Sequence, residues 1–311
     1  MKAALILNPT AGFNKPIKAE NRVEKILYRY GISCETMLTR KPGDASIMAR
    51  NASNGGFDVI IAGGGDGTVN EVVNGLVGSK TPLGILPTGT VNVLARELGI
   101  PINLHKAAGI IAEGKVGNID LGCANGRFFT LMAGFGFDAE VVANVLQPMK
   151  DMIGSSAYAI KALEMLTKYQ ATNVSIELPS ETYSTEAFLI IVANVSTYTY
   201  NLKMAPYASP DDGLLDICVF ERDGMDRFGF AGQIADLFAQ KHMQHPAVRY
   251  YRASNITIRS KPEINVQLDG DTFGTTPVEI SVAHKMLPVM MPGDQPQRAW
   301  TDHLPFSWFD N

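Results

Sequence analysis

The sequence predicts an α/β domain on a mainly parallel sheet, followed by an antiparallel β-sandwich. Three observations predict it. Before about residue 120, short apolar runs alternate with stretches of helical periodicity. Near Gly122 the pattern changes, and Asn125-Gly126 signals a hairpin turn. Beyond about Thr172 most regular segments read as strands. The chain has 311 residues, more than most single domains. The expected division is 1–122, 123–291, and a Pro-rich tail, 292–311, that packs back on the first domain.

In the first domain, Ala3–Leu7, Cys34–Leu38, Asp58–Ala62 and Leu83–Leu86 read as strands. Ile17–Tyr30, Asp44–Asn54, Val69–Leu76 and Val91–Leu98 read as the helices between and after them. Val69, Val72, Val73 and Leu76 recur at one helical face, as do Val91, Leu94, Ala95 and Leu98. Each face packs on a sheet, so the units are βαβ and the strands run parallel. The hairpin joins Ile119–Cys123 to Arg127–Met132. Val174–Leu178, Phe188–Val195, Leu214–Phe220, Ile256–Ile258, Ile264–Leu268 and Val278–Ala283 follow as strands. Helices are expected near Ala157–Lys168 and Phe228–His242.

Several classes are excluded. Net charge is −4 and there is no long Lys/Arg run, so general nucleic-acid binding is not expected. Three scattered cysteines without CxxC point to a reducing compartment. The apolar run after Met1 is too short for a signal peptide, and no stretch is long enough to span a bilayer. A cytoplasmic protein is expected.

The strongest chemical signal is Gly63-Gly64-Gly65-Asp66-Gly67-Thr68, at a strand end before a helix. Glycines let backbone approach a ligand, and a helix start suits phosphate. Asp66 stands where a carboxylate could hold Mg²⁺ on phosphates. A plain turn with Thr68 as N-cap is the bland alternative, but it needs fewer glycines. Thr88-Gly89-Thr90 ends the next parallel strand, so both loops reach the same sheet edge, where open α/β sheets bind ligands. Asn8-Pro9-Thr10-Ala11-Gly12 is a third such end. No P-loop is present. Gly134-Phe135-Gly136-Phe137-Asp138-Ala139 fits a dinucleotide pattern but lies outside any βαβ unit. Ser209–Leu214 and Leu268-Asp269-Gly270-Asp271 read on sequence as polar turns, with a cation site and a proton-accepting carboxylate as the functional alternatives.

In this order the motifs resemble the diacylglycerol kinase catalytic-domain family, specifically the bacterial lipid kinases, which are similar to sphingosine and ceramide kinases. Carrying the likeness are Asn8–Gly12, Thr39 before Pro42–Ala45, Gly64–Thr68, Pro87–Asn92 with Leu94–Arg96, Gly134–Ala139, Asp212–Leu215 and Leu268–Asp271. The resemblance implies a Rossmann-like, NAD-kinase-like first domain and a lipid-binding β-sandwich. It implies ATP- and Mg-dependent transfer of the γ-phosphate to a lipid hydroxyl, in phospholipid metabolism. Asn8, Thr39, Gly64, Gly65, Asp66, Gly67, Thr68, Thr90 and Asn92 would contact the nucleotide, with Asp66 also at the catalytic Mg²⁺. Asp271 would be the general base. Asp212, with the carbonyls of Ser209 and Leu214, would hold a second, structural Mg²⁺. A hinge near Gly122 would close the cleft, and Phe135 and Phe137 would be candidates for the lipid channel. The partner is a lipid at the inner membrane face, with peripheral contact; a homodimer stays open.

The chain departs from the family pattern at Asp271, where Glu is common, and at Val93, where several members carry Asp. An NAD kinase-like phosphotransferase would share Gly64–Thr68 but not Pro87–Arg96 or Leu268–Asp271. A non-catalytic nucleotide or lipid sensor of the same fold is the other alternative.

Overall fold

The computed structural model describes residues 1–12, 16–144, 166, 168–222 and 226–293. The helix expected near Ala157–Lys168 and the tail beyond residue 293 lie outside them. Strands β1 (Lys2–Leu7), β2 (Ser33–Leu38), β3 (Val59–Gly64) and β4 (Leu83–Pro87) pair in parallel, in the order β4-β3-β1-β2. Their residues are sealed where helices cover the sheet: β1 from Ala3 and all of β3 and β4 are buried. The helices are α1 (Pro16–Arg29), α2 (Asp44–Ser53), α3 (Asp66–Leu76), α4 (Val93–Glu97) and α5 (Leu104–Glu113). Helix α5 is not among the expected elements, although Asn103 caps it by accepting from the amides of His105 and Lys106 and Gly114 ends it.

Two helix starts differ from expectation. Helix α3 begins at Asp66, not Val69, with Gly65 rather than Thr68 as its N-cap. Helix α4 begins at Val93, not Val91, because Asn92 takes the left-handed conformation (φ 54°). Asn is among the few residues that tolerate it.

Beyond the parallel sheet the strands are antiparallel. They are β5 (Val116–Ala124), β6 (Arg127–Phe129), β7 (Met132–Gly136), β8 (Thr172–Glu177), β9 (Thr182–Ala193), β10 (Thr197–Thr199), β11 (Leu202–Lys203), β12 (Leu215–Glu221), β13 (Val248–Ala253), β14 (Asn255–Lys261), β15 (Asn265–Leu268), β16 (Asp271–Thr275) and β17 (Val278–Met290). Helices α6 (Phe137–Asn144) and α7 (Asp226–Phe238) interrupt them. A second core is built wholly from this part, around Phe129, Phe135, Ile176, Val192, Ile217 and Val278.

Strand β17 is twice as long as expected and joins the two architectures. It pairs antiparallel with β14 and β5, and parallel with β4 through Val289 and Leu83. Gly122 is therefore no hinge. It lies inside β5, paired with Val282 and Phe129, and a Cβ there would stand 2.0 Å from the Phe129 ring. Its glycine makes room for a side chain rather than for motion.

Candidate active site

Three strand ends meet at one edge of the parallel sheet. The amide of Asn8, after β1, donates to the Gly63 carbonyl at 2.8 Å. The amides of Thr88 and Gly89, after β4, both donate to the Gly64 carbonyl, at 3.1 and 3.2 Å. Glycine is obligatory in this packing. A Cβ on Gly89 would lie 2.4 Å from the Gly65 Cα, and one on Gly12 (φ +81°) would lie 2.3 Å from the Thr88 carbonyl oxygen. A Cβ on Gly64 would strike the Thr68 side chain at 2.4 Å, whereas one on Gly67 would meet nothing within 4 Å. So Gly67 offers bare, exposed backbone in the first turn of α3.

Each residue expected at this edge has a definite place. The Asn8 amide nitrogen donates to Thr68 Oγ1 at 3.2 Å, and its oxygen accepts from Thr10. Thr39 is tied to the end of β1 through the Leu7 carbonyl. Thr90 is exposed. Asn92 is buried, and its amide closes on both backbone groups of Gly89, at 3.0 and 2.8 Å. It shapes the loop. Asp66 is half-buried, and its Oδ1 accepts the Leu94 amide of α4 at 3.2 Å. Burial raises its carboxyl above the usual range, against the opposing pull of the α4 amides. A carboxylate so placed gains from a nearby cation, so it fits Mg²⁺.

The second part meets the same helix through Asp269, in left-handed conformation (φ 49°). Its carboxylate accepts from the amides of Leu131 and Met132 (both 2.9 Å), from the amide and hydroxyl of Thr130 (both 2.8 Å), and from Asn70 at 2.6 Å. Asn70 lies on α3, four residues after Asp66. Asn74, one turn on, accepts the Phe128 amide and donates to its carbonyl. Asp271, two residues beyond Asp269, has its side chain 68% exposed, with Arg127 at 3.5 Å. Thus α3 carries Asp66 at its start and anchors the turn that bears Asp271.

Reasoning from sequence missed Asn70 and Asn74, and took Asp269 only as part of the turn before Asp271. One signal was there: two Asn residues at helical spacing beside the buried Val72 and Val73. The suggested channel residues are core instead. Phe135 is sealed in the second core, and Phe137 packs edge-on against Phe230 and Tyr169.

Asp212, expected to hold a second Mg²⁺ with the Ser209 and Leu214 carbonyls, already has partners for both carboxylate oxygens. Asp212 Oδ1 accepts the Leu214 amide at 3.0 Å, and its Oδ2 is paired with the Arg252 guanidinium. Arg252 also meets the buried Asp216 at 3.2 Å. A fixed cation already stands between these carboxylates, and Ser209 turns its hydroxyl to Asp211. Among the described residues, no group of three or more His, Cys, Asp or Glu could hold a metal ion.

Known proteins resemble this chain over nearly its whole length. The model for the diacylglycerol kinase catalytic domain matches residues 2–124. The model for the YegS C-terminal NAD kinase beta sandwich-like domain matches residues 132–291. The diacylglycerol kinase of Bacillus subtilis is 32% identical over 300 residues, covering 96% of this chain and 98% of that one. That of Staphylococcus saprophyticus is 31% identical over 295 residues, covering 94% and 96%. Two crystal structures from Bacillus anthracis each cover 94% of this chain and 97% of theirs. Their TM-scores are 0.79 and 0.72, at 28% and 24% identity, and the second is that of a diacylglycerol kinase. The family matches and the fold define a lipid kinase. The chain belongs to the bacterial diacylglycerol kinase family.

Proposed function

We propose that the chain transfers the γ-phosphate of ATP, with Mg²⁺, to the hydroxyl of diacylglycerol or a closely related lipid. One observation carries the reading: the glycine-lined sheet edge and the Asp271 turn are both anchored on α3. The amides at the start of α3, with Gly67 uncovered beside them, suit the phosphates. Asp66 would hold the catalytic Mg²⁺, which when bound would offset charge on the phosphates during transfer. Asp271 would take the proton of the attacking hydroxyl as oxygen bonds to phosphorus and the β–γ bridge breaks. With one methylene less than Glu it needs a closer acceptor, and its exposed position suits a lipid arriving from outside. In this reading residues 1–122 serve the nucleotide and 123–291 the lipid, in brief visits to a membrane surface. Among the described residues no helix is long and apolar enough to cross one.

The test is transfer of labelled γ-phosphate to diacylglycerol, phosphatidylglycerol, sphingosine and ceramide in micelles, with NAD as a soluble acceptor. Labelled diacylglycerol is the expected product. Labelled NAD, or bound ATP with no labelled lipid, would overturn the reading. Asp271→Asn is expected to lower kcat by about a hundredfold or more while ATP affinity holds; near-normal turnover would remove Asp271 as the base.

A further inference from the structure

We propose that Asp138, acting through Gln267, is a positioning residue for Asp271. The inference rests on the reading of Asp271 as the base. It also gives a role to Gly134–Ala139, the glycine motif at the junction of β7 and α6.

Asp138 lies in the first turn of α6 and is buried. Among the described residues its carboxylate accepts from the Tyr198 hydroxyl and from Gln267 Nε2, the latter at 2.7 Å. Both donors are neutral, so in this network the buried carboxyl has no cation beside it, and burial raises it above the usual carboxylate range. Such a group is costly to keep, and its presence asks for a reason. Gln267, on β15, is buried too, and its other end accepts the Gly270 amide at 2.7 Å. Gly270 stands between Asp269 and Asp271 in left-handed conformation (φ +87°). One side-chain amide thus joins Asp138 to the turn from which Asp271 projects.

The motif's glycine serves the same contact. Gly134 of β7 is paired with Gln267 of β15. A Cβ on Gly134 would stand 2.0 Å from Asp138 Oδ2 and 2.6 Å from Gln267 Nε2. At the far end, Tyr198 follows Ser196 and Thr197, which both donate to Glu97 of α4, at 2.9 and 3.0 Å. Helix α4 is the one whose Leu94 amide meets Asp66. A continuous framework therefore runs from the nucleotide edge to the turn of Asp271.

Asp271 needs such support. Among the described residues its own side chain meets only Arg127, at 3.5 Å, and it is largely exposed. With so short a side chain, the reach of its carboxylate depends on where the backbone is held. A misplacement of about 1 Å in a reacting group can cost a hundredfold in rate.

The test is steady-state kinetics of Gln267→Met, which keeps volume and removes both hydrogen bonds. The expected result is a kcat lower by about a hundredfold, with KM for ATP within about twofold of the parent. Gln267→Glu, which keeps an oxygen for the Gly270 amide, should recover part of the loss. In an Asp271→Asn background, Gln267→Met should cost nothing further in residual turnover, since no base is left to position. An unchanged kcat in Gln267→Met, or the same loss with and without Asp271, overturns the proposal. If Gln267→Met does not fold, Tyr198→Phe replaces it, and an unchanged kcat there overturns the proposal equally. Normal turnover of Asp271→Asn alone would instead bring down the base reading beneath it.

Discussion

The sheet edge at Gly12, Gly64–Thr68 and Thr88–Asn92 and the turn at Leu268–Asp271 are built by opposite means. At the edge, backbone meets backbone, and glycines at 65 and 89 let two loops touch. At the turn, side chains do the holding: one carboxylate, Asp269, accepts five hydrogen bonds from residues far away in sequence. Where its loops touch, at Gly12, Gly64 and Gly89, an edge made of backbone tolerates no added atom. A turn made of side chains tolerates no lost one.

Four outcomes would break or sharpen this contrast. Gly89→Ala should act most, because its Cβ would lie 2.4 Å from the Gly65 Cα. Transfer to lipid is expected to fall about a hundredfold or more. Normal turnover would show that the loops can part freely. Next is Asp269→Ala, which strands five donors. Denaturant unfolding should register a loss of about 3 kcal/mol, and a loss below about 0.5 kcal/mol would mean that water replaces the carboxylate.

Third comes the charged cluster beyond Ser209, also built from side chains. Burial raises the Asp216 carboxyl to about 6, outweighing the Arg252 guanidinium, which lowers it. The folded protein therefore holds this proton more tightly than the unfolded chain does. The stabilisation is full below the ordinary carboxylate value near 4 and is lost as pH rises through 6. Relative to Asp216→Asn, the parent should lose on the order of 2–3 kcal/mol of stability from pH 4 to pH 8. Unfolding curves at both pH values give the answer, and a difference independent of pH would contradict it. Smallest is Gly67→Ala, where a Cβ meets nothing. Stability should hold or rise by up to about 1 kcal/mol. ATP affinity should fall nonetheless if the phosphates approach this backbone. Unchanged affinity by calorimetry would move the nucleotide off Gly67.

The same contrast explains what the sequence revealed. A site made by close backbone approach has to write glycines at strand ends, and these stood out at once. Helical periodicity and apolar runs likewise located β1 to β4 within a residue or two. Sites made by side chains leave only common polar residues, whose partners are set by tertiary distance. Nothing local tells Asp269 from Asp271, yet one clamps two parts of the fold and the other faces solvent. Arg252 is one of two arginines in β13, ordinary until Asp212 and Asp216 close on it. Strand β17 was half-read because its second half changes partners at a bulge. There Asp120 Oδ1 accepts the Lys285 amide at 2.6 Å and faces the His284 ring at 2.9 Å.

That long strand also bears on synthesis. Strand β5 leaves the ribosome early, but its partner in β17 is far behind it, since Ala124 pairs with Ile280. At usual elongation rates the gap is on the order of ten seconds. Throughout it the flank of β4 that ends beside Val289 waits open, as does the flank of β5 that takes β17. Unpaired flanks of this kind recruit other chains. For nascent copies of this kinase crowded on one message, the last strand to arrive is the one that closes the fold against its neighbours.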